Sequence, residues 1–175
     1  MLYRIELGWR EGEVTAIAAS PFVEHTVGFL PNGMAVDPRG DLFVSNTYST
    51  YTGEAAILKL EVDPEPFSFE EVDWLPADLG GGMPNGVQLA RNTLYLASQS
   101  SVLQVEIQRD GTAASVRTLY SGNADNLLDD FAVVADKLVV CEIDNPFAPP
   151  ESSTSQLTVI GRMGTTAGEV VGVIP

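Results

Sequence analysis

The chain has 175 residues, 45% of them hydrophobic and 19% charged, a balance that excludes a disordered protein and allows one ordinary domain with its own core. Nine Lys and Arg against 24 Asp and Glu leave a formal charge of −15; such a surface repels phosphate backbones and anionic lipid, so neither nucleic acid nor membrane is expected as a partner. A single cysteine, Cys141, and a single histidine, His25, exclude an intramolecular disulfide framework, cysteine-based or multi-histidine zinc sites and, very nearly, serine–histidine triads.

The N-terminal residues Met1–Leu7 lack the apolar segment of a secretory signal, and no apolar run approaches the roughly 20 residues that span a bilayer. With Met1 as the native start, the expected location is cytoplasmic. Leu2–Leu7 and Glu13–Ala18 read as two strands. Three longer units follow, each opening on a hairpin: Leu30-Pro-Asn-Gly-Met-Ala-Val-Asp-Pro-Arg-Gly-Asp-Leu-Phe-Val-Ser-Asn46, Met83-Pro-Asn-Gly-Val-Gln-Leu-Ala-Arg-Asn-Thr-Leu-Tyr-Leu-Ala-Ser98 and Asp129-Asp-Phe-Ala-Val-Val-Ala-Asp-Lys-Leu-Val-Val-Cys-Glu142. Two further strands complete each unit: Ala56–Val62 and Phe69–Leu75, then Val102–Ile107 and Ala114–Tyr120, then Gln156–Ile160 and Glu169–Ile174. Several alternate apolar with polar residues, as half-buried strands do, and the inner pair of each unit is more continuously apolar.

Aligned in this way, Asn32 and Asn85 stand 53 residues apart and Asp130 a further 45, within the spacing of about 40–50 residues that marks propeller blades. The expected fold is an all-β propeller of about three and a half four-stranded blades. Residues 1–29 would supply the outer strands of an incomplete blade plus a connection, and 30–79, 80–124 and 125–175 one blade each. A propeller closes its ring, with four to eight blades in familiar cases. The missing blades are therefore expected beyond the ends of this chain, with a homodimer that closes one ring as the alternative. Trp9 and Trp74 are expected to fill the spaces between blades.

A residue repeated just before the innermost strand recurs around one axis. Asn32, Asn85 and Asp130 would thus direct three oxygen-bearing side chains at a common point, a donor set for a hard cation such as Ca²⁺. Such a cation could polarise a substrate carbonyl and lower the pKa of bound water, with a nearby carboxylate as general base. Pro-Asn-Gly is equally a turn signal, so Asn32 and Asn85 read evenly as turn residues or ligands, while Asp130 favours a site. Asp125, Asn126 and Asp129 beside it read as supporting residues or as a polar loop. Asp37-Pro-Arg-Gly-Asp41 reads as hairpin chemistry, Asp78–Gly86 as a blade connection, and Asp144–Ser155 as a long loop. Cys141, in an apolar strand, reads as a small hydrophobe.

The runs Pro31–Val44, Pro84–Val87 and Asp129–Val133 resemble successive blades of the family of senescence marker protein, gluconolactonase and luciferin-regenerating enzyme. The resemblance covers about Leu30 to Ile174. It implies a presumed six-bladed ring and a divalent cation in the channel, calcium first, with Mg, Mn or Zn as alternatives. It also implies a small-molecule substrate such as a lactone or related ester. Carried over by motif, Asn85 and Asp130 would be metal ligands, Asp130 also the catalytic residue, and Asn32 a substrate-side residue; the family's glutamate ligand has no match here. A non-catalytic NHL-type propeller that binds a protein partner, and a metal-free strictosidine-synthase-like propeller, share the first unit's pattern and stand as alternatives.

Overall fold

The structure, a computed structural model, describes residues 2–23, 29–64, 67–79, 82–144, 154–161 and 168–175. Its strands are β1 (Leu2–Arg10), β2 (Glu13–Val23), β3 (Pro31–Val36), β4 (Leu42–Asn46), β5 (Ile57–Pro64), β6 (Phe67–Leu75), β7 (Pro84–Ala90), β8 (Thr93–Ser98), β9 (Ser101–Ile107), β10 (Ala113–Ser121), β11 (Leu127–Val134), β12 (Lys137–Asp144), β13 (Thr154–Gly161) and β14 (Glu169–Ile174). Among the described residues one short α-helix, Ser49–Thr52, and a 3₁₀ turn, Ala77–Leu79, sit in connections and carry no periodicity from which sequence could find them.

Three antiparallel four-stranded sheets follow in chain order, β3-β4-β5-β6, β7-β8-β9-β10 and β11-β12-β13-β14, preceded by the two-stranded sheet β1-β2. Each four-stranded sheet is a meander from an inner to an outer strand. The inner strands pack side by side, β3 against β7 and β7 against β11. This is the blade arrangement of a β-propeller. β1 and β2 form the expected hairpin, which pairs with no other strand among the described residues.

The cores lie between blades. Ala35, Phe43, Ile57, Trp74 and Leu75 of the first blade meet Val87, Leu94, Leu96 and Val105 of the second. Tyr95, Ala97, Val102 and Leu119 of the second meet Leu128, Phe131, Leu138, Val140 and Ile160 of the third. β8 shows why inner strands read as continuously apolar. Leu94 and Leu96 face one neighbour, while Tyr95 and Ala97 face the other, so both faces are covered. Trp74 fills the first seam as expected: its ring meets Phe43 edge-on at 4.9 Å and its indole N–H donates to the Gly111 carbonyl at 2.7 Å. Trp9 does not fill such a seam. It is 79% exposed on β1, whose hairpin pairs with no other sheet among the described residues.

The Arg-Gly-Asp tripeptide is turn chemistry. The Asp37 carboxylate accepts the backbone N–H groups of Arg39 (2.8 Å) and Asp41 (3.0 Å), and Gly40 has a φ of +97°. His25 and residues 145–153 of the predicted long loop lie outside the described residues.

Each inner strand breaks register at the same place. Pairing with the second strand is interrupted between Pro31 and Met34, between Pro84 and Val87, and between Leu128 and Phe131. The three inner strands thus carry three equivalent irregularities of two residues each, of the β-bulge kind that re-aims side chains. At Gly33 the neighbouring blade passes so closely that an added Cβ would lie 2.5 Å from the Asn85 carbonyl oxygen and 2.6 Å from the Val87 nitrogen. Backbone atoms held in a ladder cannot step aside as a flexible side chain can. Gly33→Ala is therefore expected to lower stability by about 1–3 kcal/mol, measured as a lowered urea midpoint, whereas Gly12→Ser in the open β1–β2 turn leaves the first seam intact.

Candidate functional site

The bulges set the alignment of the three blades. Asn46, Ser98 and Glu142 are the second-strand partners of Pro31, Pro84 and Leu128, and Val44, Leu96 and Val140 those of Met34, Val87 and Phe131. Two residues fill each gap: Asn32-Gly33, Asn85-Gly86 and Asp129-Asp130. Asp129, not Asp130, therefore stands where Asn32 and Asn85 stand, and Asp130 replaces the glycine. Sequence alone slipped by one residue because the third unit lacks the glycine that marks the register.

The side chains follow this alignment. Asn85 is buried at 5% exposure and its amide donates to the Asp129 carboxylate at 3.0 Å, linking equivalent positions of adjacent blades. Asp130 is exposed; its Oδ1 accepts its own neighbour's N–H, that of Phe131, at 2.8 Å and lies against the bare Cα of Gly86. Asn32 is also exposed and donates to the Thr47 hydroxyl at 3.2 Å. Thr47 donates in turn to the Pro84 carbonyl at 2.8 Å, one residue before Asn85. Ser45 donates to the Asn85 carbonyl at 2.5 Å and accepts the Gly33 N–H at 2.8 Å. Two buried hydroxyls at the end of β4 thus hold the bulge of β7 in place. Ser45 and Thr47 looked like ordinary strand-end residues in the sequence; only the seam reveals their partners.

The Asp129 and Asp130 charges reach Cys141 across the sheet. Burial first, then those two carboxylates, push its thiol above the ordinary value, which leaves it protonated and a poor nucleophile. Among the described residues no three His, Cys, Asp or Glu side chains converge as a metal cluster. What the blades do assemble is an amide and two carboxylates, all hard oxygen donors. Turning the Asn85 amide about its terminal torsion would bring its oxygen to the position from which the N–H now reaches Asp129, so a cation could replace that hydrogen bond. The donor set fits part of the coordination shell of a hard cation.

A second polar centre lies at the same end of the third blade. Glu142 is 3% exposed and has no cation partner among the described residues; its carboxylate accepts from Thr158 (2.6 Å), Asn126 (2.8 Å) and Gln156 (3.2 Å). Burial alone would push this carboxyl upward, but the three donors outweigh it, and the group titrates below its ordinary 4.5. The equivalent Asn46 plays the same part in the first blade, where its side-chain oxygen accepts the N–H groups of Leu30 (3.0 Å) and Tyr48 (3.2 Å). Asn126, which the sequence left as supporting residue or polar loop, is thereby tied to the mouth of β11. Because the folded-state value of Glu142 is depressed, its contribution to stability is complete above about pH 4.5 and is lost as pH falls through the lower folded value. Glu142→Gln is expected to cost about 1–3 kcal/mol at neutral pH and to shrink the loss of stability on acidification, read from urea unfolding at pH 7 and pH 3.

No family model matches this chain, and no curated protein matches it. Among solved structures it is similar to Bacteroides ovatus Xyloglucan PUL GH43B, with 14% identity and a TM-score of 0.50 over 84% of this chain. The chain spans 29% of that protein's length. The likeness shows the fold, that of a β-propeller.

Proposed function

We propose that this chain carries part of a cation-assisted hydrolase site of lactones or related small esters, set in the channel of a propeller. The observation that carries the reading is the Asn85–Asp129 hydrogen bond, which joins the repeated bulge positions of two blades at one point. The resemblance of the Pro31–Val44, Pro84–Val87 and Asp129–Val133 runs to gluconolactonase-type blades supplies the substrate class, and the −15 charge is compatible with a cation and a neutral substrate. The solved neighbour, a glycoside hydrolase, is compatible with hydrolysis on this scaffold.

Asn85 and Asp129 would hold the cation. When bound, a divalent ion such as Ca²⁺ polarises a carbonyl and acidifies a water molecule. Asp130, steadied by the Phe131 N–H and seated over Gly86, is the general base of the proposal and accepts a proton from water. Asn32, positioned by Thr47, offers its amide to a substrate oxygen. Gly86 belongs to this arrangement too, since a side chain there would occupy the space of the Asp130 carboxylate.

The test separates the two aspartates. Calcium is expected to raise the thermal midpoint of the protein, and Asn85→Ala or Asp129→Ala to abolish that rise. Asp130→Ala should keep the calcium effect and lower δ-lactone hydrolysis by about a hundredfold or more. Loss of the calcium response in Asp130→Ala but not in Asp129→Ala would overturn the assignment made by register. Absence of both calcium response and hydrolysis would leave a binding propeller.

A further inference from the structure

The opposite ends of the inner strands hold a different chemistry. A groove of about 270 Å³ lies between the first two blades, among the β3–β4 turn, the β7–β8 turn and the β9–β10 connection. Three of the nine basic residues of the whole chain, Arg39, Arg91 and Arg109, line it, together with Asn92 and Gln108. Asp37 is the one carboxylate in the wall, and Arg39 offsets it, Nε to Oδ2 at 3.0 Å. Lys59 nearby is held by Asp41 at 3.0 Å and Glu61 at 2.6 Å. Arg91 and Arg109 make no salt bridge among the described residues. In a protein of net charge −15, where carboxylates outnumber cations more than twofold, two guanidinium groups thus stand in one groove without a salt-bridge partner among the described residues.

Arg91 also occupies a position that a smaller residue would fill with less strain. It opens the two-residue turn between Ala90 and Thr93 with a φ of +57°, in the left-handed region that favours Gly or Asn over Arg. The hairpin would be better served by exchanging it with Asn92. Keeping Arg first in the turn sets its side chain on the groove wall beside Arg109.

We propose that this groove is an anion site for a small dianion, such as a phosphate monoester or a dicarboxylate, gripped by Arg91 and Arg109 with Asn92 and Gln108 as neutral donors. Guanidinium forks match paired oxygens geometrically, and the exposed side chains of Arg91 and Arg109 leave both forks open to a ligand from solvent. The site is separate from the Asn85–Asp129 centre and does not depend on its chemistry.

Inorganic phosphate and malonate, titrated at low ionic strength and followed by calorimetry, test it. At least one is expected to bind saturably where chloride does not, to weaken as salt is raised, and to weaken about tenfold or more in the double variant Arg91→Gln, Arg109→Gln. The control double variant Arg117→Gln, Lys137→Gln removes the same net charge and should keep the affinity. Phosphate binding without malonate, or the reverse, identifies the source of the dianion. No saturable binding of either, or equal loss in the two double variants, overturns the proposal.

Discussion

The near contact of neighbouring inner strands at Gly33 and Gly86 is the constraint from which the rest of the arrangement follows. With a Cβ at either position, backbone or carboxylate of the next blade would have to move, so glycine lets the blades approach to the distance at which their bulges face each other. That approach puts Asn85 within 3.0 Å of Asp129 and allows Ser45 and Thr47 to bond the carbonyls of Asn85 and Pro84. The hydrophobic seams around Phe43, Trp74 and Leu96, and around Tyr95, Leu128 and Phe131, supply the burial that holds the sheets together. The polar bonds decide their register where the inner strands begin.

The two ends of the inner strands differ. Asn32, Asn85, Asp129 and Asp130 stand where these strands begin, and Arg39, Arg91 and Arg109 line a groove at the far ends of the first two blades, beside the Asp37 carboxylate. An antiparallel meander brings such groups together, because every inner strand starts at one end of its sheet and every first turn lies at the other. The same geometry repeats Asn46 and Glu142 as buried anchors for the segment entering their blade. In an acidic protein the Glu142 carboxylate is held in its charged form by the neutral donors Thr158, Asn126 and Gln156.

Much of this was legible beforehand. Apolar strands separated by tight turns, with Pro-Asn-Gly opening two of the three units, point to the fourteen strands of the described residues and to an all-β blade fold, because side-chain alternation and turn residues are local signals. Asn32 and Asn85 were visible for the same reason. Asp129-Asp130 offers two identical letters and no glycine to anchor the alignment, so spacing alone pairs Asp130 with them; strand pairing puts Asp129 there. Trp9 was misplaced because a large aromatic in an alternating strand reads as buried whether or not a second sheet covers it. Ser45, Thr47 and Glu142 carried no local signal, since their partners lie up to 40 residues away.

The sequence by itself determined an all-β repeat with a polar residue opening each inner strand, since periods of two and of some fifty residues are written in the order of apolar, polar and turn residues. Only the tertiary structure decided which aspartate faces Asn85, which hydroxyls hold the seam, and that arginines from three separate connections share one groove. Those outcomes depend on bulge register and on the distance between blades, quantities set by backbone passing backbone.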